Sequence, residues 1–346
     1  MKRGGAVILI LIILIFALPG CNKTGEIPGE IDIINEPVVL GAFSPMGDND
    51  ALSSISCRGE TGGSAISVVC TIFPAYDWAR RIIGDLAGDF DVFLLLGGRA
   101  DLHSYQPTVD DIVKITTCDL FIYVGGESDK WVEDVLKQSI NEDMVALNLV
   151  EMLGSAAKIE EDPEADEDEY DEHVWLSLRN ASLFCRSIAG ALSVLDSENA
   201  ATYSTNLADY LSELESLDNA YTAATTAASA NVLLFCSRFP FRYLMDDYSI
   251  EYYAAFPGCS AETEASFGTV VFLAGKINEL DLKYVLETES DDQSLANVVI
   301  NSTANKNQTI VKLDSMQSVS INDIQNGKTF LSIMESNLEV LKEALS

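Results

Sequence analysis

From Ser67 onward, two hydrophobic periods take turns along the chain. "SVVCTIF" reads as a strand, "AYDWARRIIGDLA" as a helix, "DVFLLL" as a strand, "TVDDIVKI" as a helix, "DLFIYVG" as a strand, "KWVEDVLKQSI" as a helix and "MVALNL" as a strand. Short apolar runs that alternate with amphipathic segments predict a parallel sheet covered by helices on both faces. Between Gly190 and Pro240 there is neither glycine nor proline, and Leu207, Tyr210, Leu211, Leu214, Leu217 and Tyr221 recur at spacings of three and four. One long helix is predicted there, with Asp196 or Ser197 as its N-cap and its end near Ser229; about 33 residues at 1.5 Å each give about 50 Å. The alternation then restarts with "NVLLFC", "FRYLMDDY", "IEYYAAF", "SFGTVVFLAGKINEL", "KYVLETE", "SLANVVINSTA" and "TIVKLDS", and closes on an amphipathic helix ending at Ser346. The fold class expected is α/β: two lobes with parallel-type sheets (67–195 and 231–346), joined by a linking helix (196–230), with a cleft between the lobes.

In open parallel sheets, ligands sit outside the carboxyl ends of the strands. His103 follows "DVFLLL" in that position, Cys236 ends "NVLLFC", Cys259 follows "IEYYAAF", and Glu289, Asp291 and Asp292 follow "KYVLE". Candidates from both lobes therefore converge on one cleft.

Charge narrows the partners. The 346 residues carry 21 Lys and Arg against 54 Asp and Glu, a formal charge of -33, which repels phosphate backbones and concentrates cations. Nucleic acid is not expected as a partner. The apolar content of 48% excludes a disordered chain. Lys2 and Arg3, an apolar run from Ala6 to Leu18, and Gly20 before Cys21 make an export signal, and the run is too short to cross a bilayer, which takes about 20 residues. "LPGC" resembles the lipobox of bacterial lipoproteins, so residues 1–21 are expected to be the signal, Cys21 the lipidated residue, and 22–66 a flexible tether. The protein is then extracytoplasmic and held at the membrane surface by its lipid. Cysteines 57, 70, 118, 185, 236 and 259 have wide, irregular spacings, which suits core thiols better than a disulfide framework.

Only two histidines occur in the chain. The second, His173, lies in "YDEHVWLS" after an acidic run from Glu160 to Glu172. A neutral imidazole suits transition metals, and carboxylates supply harder oxygen donors. The acidic run is expected to be a solvated loop that concentrates cations weakly.

"CTIFPAYDWARRIIGD", "HSYQPTVDDI", "CDLFIYVGGESDKWVE", "DEHVWLSLRNA" and "FPGCSAETEASF" resemble, in order and spacing, the metal-binding lipoproteins of zinc and manganese ABC importers. The likeness runs from residue 67 to about 320. It implies two lobes bridged by a rigid helix, one divalent cation between them, an ABC permease as partner and a monomeric receptor. It also implies that His103 and His173, which match the histidines of the two motifs, are ligands.

The pattern then departs. The resemblance places a third ligand at Arg238, where a permanently charged guanidinium cannot ligate. Cys236, two residues earlier, could supply a thiolate in its stead; Cys259 is a weaker candidate. The fourth position maps to Asp292 or Asp291, with Glu289 behind them. Two imidazoles, a thiolate and a carboxylate suit Zn2+, whereas Mn2+ or Fe2+ is the alternative if Cys236 is not a ligand. No GxSxG, GxxxxGK, GxGxxG or HExxH motif occurs. The chain is therefore read as a binding protein and not an enzyme. A relative with a decayed site acting as an adhesin or structural lipoprotein is the alternative, and a zinc hydrolase built on His103, His173 and Glu172 is a remoter one.

Overall fold

Strand β1 (Ile66–Cys70) stops where Pro74 enters the first turn of helix α1 (Phe73–Ile83), a position that needs no N–H donor. In this computed structural model the described residues are 65–97, 102–160, 169–256, 258 and 265–346, and they belong to one compact unit. Cys21, the tether, Cys57, Cys259 and positions 161–168 of the acidic run lie outside the described residues. After α1 come β2 (Phe90–Leu94), α2 (Val109–Thr117), β3 (Leu120–Tyr123), α3 (Trp131–Leu136), β4 (Val145–Asn148), α4 (Leu149–Leu153) and α5 (Leu178–Leu195). The long α6 (Ala200–Ala227) follows. Beyond it are β5 (Val232–Phe235), α7 (Arg242–Asp247), β6 (Glu251–Ala254), α8 (Phe267–Leu280), β7 (Tyr284–Thr288), α9 (Ser294–Asn301), β8 (Thr309–Leu313), α10 (Ile321–Gln325) and α11 (Phe330–Ala344).

The two sheets have the same topology. Their strand orders are β2-β1-β3-β4 and β6-β5-β7-β8, all parallel. In each, the order reverses beside the first strand, so a crevice opens at the carboxyl ends of β1 and β3 in one lobe and of β5 and β7 in the other.

Helix α6 runs about 42 Å at 1.5 Å per residue. Its stripe Tyr203, Tyr210, Leu214, Leu217 and Tyr221 is buried. Asn206 donates to the Ile82 carbonyl at the end of α1 (2.8 Å), and Tyr221 donates to the Met334 carbonyl in α11 (2.6 Å). One apolar cluster is continuous from Val68, Trp78 and Ile122, through Tyr210 and Tyr221, to Phe235, Leu313 and Phe330. The lobes therefore share a core across the linking helix, and separating them would expose it.

Helix α5, to which the hydrophobic pattern had assigned no element, packs along α6 and buries Ala181, Phe184, Cys185, Ile188 and Leu192. Its three-and-four spacing is real but is diluted by Ser182, Ser187, Gly190 and Ser193. Ser177 caps it by accepting the Asn180 N–H (3.0 Å).

Asp77, on α1, accepts the Phe330 N–H at the start of α11 (3.0 Å). Burial pushes its carboxyl up to about 6, against the pull of that N–H and of Arg80 and Arg81. A raised carboxyl favours the folded state only when protonated, so its stabilisation is present at low pH and is lost as the pH rises through about 6. Asp77→Asn is expected to add about 1–2 kcal/mol at pH 7.5 and to lose that advantage by about pH 4. Melting curves at pH 4.5 and 7.5 decide this, and a pH-independent difference sinks it.

Candidate metal centre

His103 lies on a short helical turn, Leu102–Ser104, beyond β2. His173 directly precedes another, Val174–Leu176, ahead of α5. Residues 70 positions apart are thereby brought together: their ring centroids are 5.4 Å apart, with planes inclined at 51°. Two imidazoles on one tetrahedral zinc at about 2.1 Å would have centroids roughly 5 Å apart.

Each ring is oriented through Nδ1. His173 is 1% exposed, and its Nδ1 lies 2.8 Å from Asp171 Oδ1, which also accepts the His173 backbone N–H (2.9 Å). A carboxylate accepts, so Nδ1 is the protonated nitrogen and Nε2 is the one that would meet a metal. Tyr243 donates to the Asp171 carbonyl (3.2 Å), which steadies the segment.

His103 Nδ1 lies 2.9 Å from Ser128 Oγ, and Ser128 donates its hydroxyl to Glu172. The relay again leaves Nδ1 as donor. Burial disfavours charge on Glu172, but hydrogen bonds from His103 and from the Ser128 hydroxyl and N–H outweigh it and hold the carboxyl below its ordinary value. The loop bearing Ser128 is pinned by Asp129, which accepts the N–H groups of Val124 (2.9 Å) and Gly125 (3.0 Å).

Gly126 crosses that loop at φ +79°, and a Cβ there would stand 2.5 Å from Glu172 Oε1. Gly126→Ala is expected to cost about 1–3 kcal/mol and to loosen the support of His103. Gly88→Ala, where nothing lies within 4 Å, should stay within about 0.5 kcal/mol of the parent. Equal melting temperatures for the two variants would remove the Glu172 contact from the site.

The C-terminal candidates sit around a cavity of about 550 Å³ at the ends of β5 and β7. Cys236 is on its wall but belongs to the apolar cluster of Leu234, Leu273 and Val285. Burial raises its thiol, and Glu287 and Asp291 raise it further. Asp291 accepts the Thr288 N–H (2.9 Å) and hydroxyl. Asp292 accepts the Ser294 N–H (2.9 Å), and Glu289 accepts from Ser315 and Ser318. Arg238 lines the same cavity. Among the described residues, no three His, Cys, Asp or Glu side chains are grouped so that they could hold a metal ion. The structure thus pairs the histidines and leaves Cys236, Asp291 and Asp292 engaged elsewhere. Cys70, Cys118 and Cys185 are, like Cys236, buried free thiols.

Sequence reasoning passed over Asp171 and Ser128. A carboxylate two residues before a candidate ligand was a usable signal for Asp171. Ser128 had none, because its role comes from a contact across 25 residues.

Two parallel α/β lobes on a shared helix, with paired imidazoles at the strand ends, define a two-lobed binding protein for a small polar solute or cation. The chain belongs to the family described as zinc-uptake complex component A periplasmic (ZnuA), whose profile it matches over residues 68–344. It is 27% identical over 301 residues to the zinc-binding lipoprotein AdcA of Streptococcus pneumoniae, covering 85% of this chain and 58% of that protein. The chain thus spans little more than half the length of the AdcA relatives. It is 26% identical over 301 residues to the high-affinity zinc uptake system protein ZnuA of Bacillus subtilis, covering 85% of this chain and 92% of that protein. The crystal structure of the Zn(II)-bound ZnuA-like domain of S. pneumoniae AdcA superposes with TM-score 0.67 at 25% identity, over 82% of this chain and 99% of that one. The family is a solute-binding transport component, and the expectation of two lobes on a long linking helix agrees with the structure.

Proposed function

We propose that this chain is the extracytoplasmic solute-binding component of an ABC importer that captures zinc and passes it to a membrane permease. The observation that carries the reading is that the only two histidines of the chain pack side by side, with ring centroids 5.4 Å apart and each Nδ1 held by its own acceptor. The names of AdcA and ZnuA as zinc proteins support the choice of metal, with manganese and iron as the competitors to test.

The further donors we assign are Cys236 and one of Asp291 or Asp292. Each has to exchange its present contacts to ligate, and Cys236 must lose a proton that burial holds on. A lipid on Cys21 would keep the protein at the outer face of the membrane, working as a monomer. Among the described residues no helix is long and apolar enough to cross a membrane.

Elemental analysis of the purified protein, followed by competition among zinc, manganese and iron, tests the proposal. Zinc should co-purify, outcompete the others and raise the melting temperature, because a ligand of the native state stabilises it by mass action. Absence of tight binding of any of the three overturns it. In the same series, Cys236→Ser with unchanged zinc affinity would remove Cys236 from the donor set.

A further inference from the structure

The two sheets share a topology but differ in the passage out of the last strand. In the first lobe β4 runs straight into α4, whereas in the second seven residues, 314–320, separate β8 from α10. On one side of that segment, Ser315 donates its N–H (2.8 Å) and hydroxyl (3.1 Å) to the Glu289 carboxylate, and Ser318 donates its hydroxyl to the same group (2.9 Å). On the other, the Ser315 carbonyl accepts the indole N–H of Trp175 (3.0 Å), two residues beyond His173. Ile321, at the end of the segment, donates its N–H to the carbonyl of Gly97 (3.1 Å), six residues before His103. The segment is thereby tied to both histidine-bearing stretches and to the acidic loop after β7.

Met316, within it, has φ +66°. That is the left-handed region, where a side chain costs energy and glycine is the usual occupant. Among the described residues four other non-glycine residues have positive φ, Ser249, Asp281, Gln293 and Lys306, and all are exposed, whereas Met316 is buried. Strain at such a position persists only where the surroundings fix it. The Met316 N–H donates to Asp314 Oδ1 (2.8 Å), and the buried Asn337 side chain of α11 holds the Asp314 backbone at both its N–H (2.8 Å) and its carbonyl (2.9 Å). What methionine adds over glycine is its side chain, which shares a crevice with Leu96, Leu102 and Trp175 in the continuous core. Leu102 immediately precedes His103, so one side chain lies beside the supports of both imidazoles.

We propose that Met316 is a positioning residue for metal capture: it locks residues 314–321 as a strap between the lobes, and the strap sets the separation of the two imidazoles before metal arrives. The inference rests on the reading of His103 and His173 as zinc ligands. A site held in its bound geometry spares the ligand the cost of ordering it. An unbranched thioether suits the task, since it fills an irregular gap between packed elements.

The test is imidazole NMR of the full, zinc-free chain, followed by zinc competition titration. The chain has two histidines, so the signals of each ring are read separately. Met316→Ala and Asn337→Ala should both move the ring signals of His103 and His173, while Met316→Leu, which keeps the volume, should leave them near the parent positions. Leu341→Ala removes buried apolar volume from the same helix as Asn337 without releasing the strap, and should leave both rings in place. Met316→Ala should weaken zinc by about tenfold or more, the lower end of what the loss of an outer-shell support costs, with Leu341→Ala at the parent affinity. The inference is overturned if Met316→Ala, or Asn337→Ala where the first variant does not fold, leaves both rings unmoved. It is overturned equally if Leu341→Ala moves them as far, or if Met316→Ala binds zinc like the parent. A parent that binds no zinc refutes the proposed function, and the zinc-free spectra still decide the strap.

Discussion

Replacing His173 by alanine should lower zinc affinity by more than about 100-fold, and replacing His103 should do the same. The comparison that gives this meaning is Asp171→Asn. Loss of an outer-shell acceptor behind a ligating histidine typically costs about 10- to 100-fold in metal affinity, because the ring loses its fixed tautomer and some basicity. Asp171 holds both the Nδ1 and the backbone N–H of His173, so Asp171→Asn should fall in that intermediate range while both His→Ala variants fall below it. Ser128→Ala should weaken zinc less than Asp171→Asn, because Glu172 remains 3.4 Å from His103 Nδ1 and can accept in its place. Competition titration against a chelator of known affinity measures all four. If Asp171→Asn binds zinc like the parent while His173→Ala does not, Nδ1 is not the outer-shell contact. If His173→Ala binds like the parent, the pair is not the site.

The largest stability effect is expected at Trp175. Its ring is 1% exposed and lies 5.3 Å from the His173 ring, centroid to centroid, and its indole N–H donates to the Ser315 carbonyl beyond β8 (3.0 Å). Ser315 in turn donates to Glu289 at the cavity wall. One side chain thus joins the histidine segment of the first lobe to the acidic loop of the second. Trp175→Ala should cost about 3–5 kcal/mol for the lost burial and the void left behind. Trp175→Phe keeps most of the packing but strands the Ser315 carbonyl, which costs about 1–3 kcal/mol. Denaturant unfolding of the three proteins gives the comparison. A Trp175→Ala protein within about 1 kcal/mol of the parent would show that the shared core does not depend on this bridge. It would also weaken the case that the lobes resist separation.

How much of this was legible in advance differs by element. The strands were, because runs such as "NVLLFC" and "DLFIYV" are buried on both faces and so read as unbroken apolar stretches. Their ends were read one to three residues too long, since "SVVCTIF" contains Ile72 and Phe73, which are as apolar as the strand but begin α1. The linking helix was legible from its spacing, and α6 with the turn before it covers 197–227 against the expected 197–229. Helix α5 was not, because its buried stripe is interleaved with serines and glycine and it follows a motif that was read for chemistry and not for period.

By itself, the sequence determined the two-lobed α/β architecture, the identity of the two candidate imidazoles and the acidic character of the protein. These follow from local periodicity and from the rarity of histidine, neither of which needs a partner in space. Tertiary structure alone decided which groups meet. It placed His103 beside His173, put Ser128 and Asp171 behind them, and buried Cys236 in an apolar cluster. Such contacts join residues tens of positions apart, and a hydrogen bond or a buried charge acquires its energy only from the groups that the folded chain sets around it.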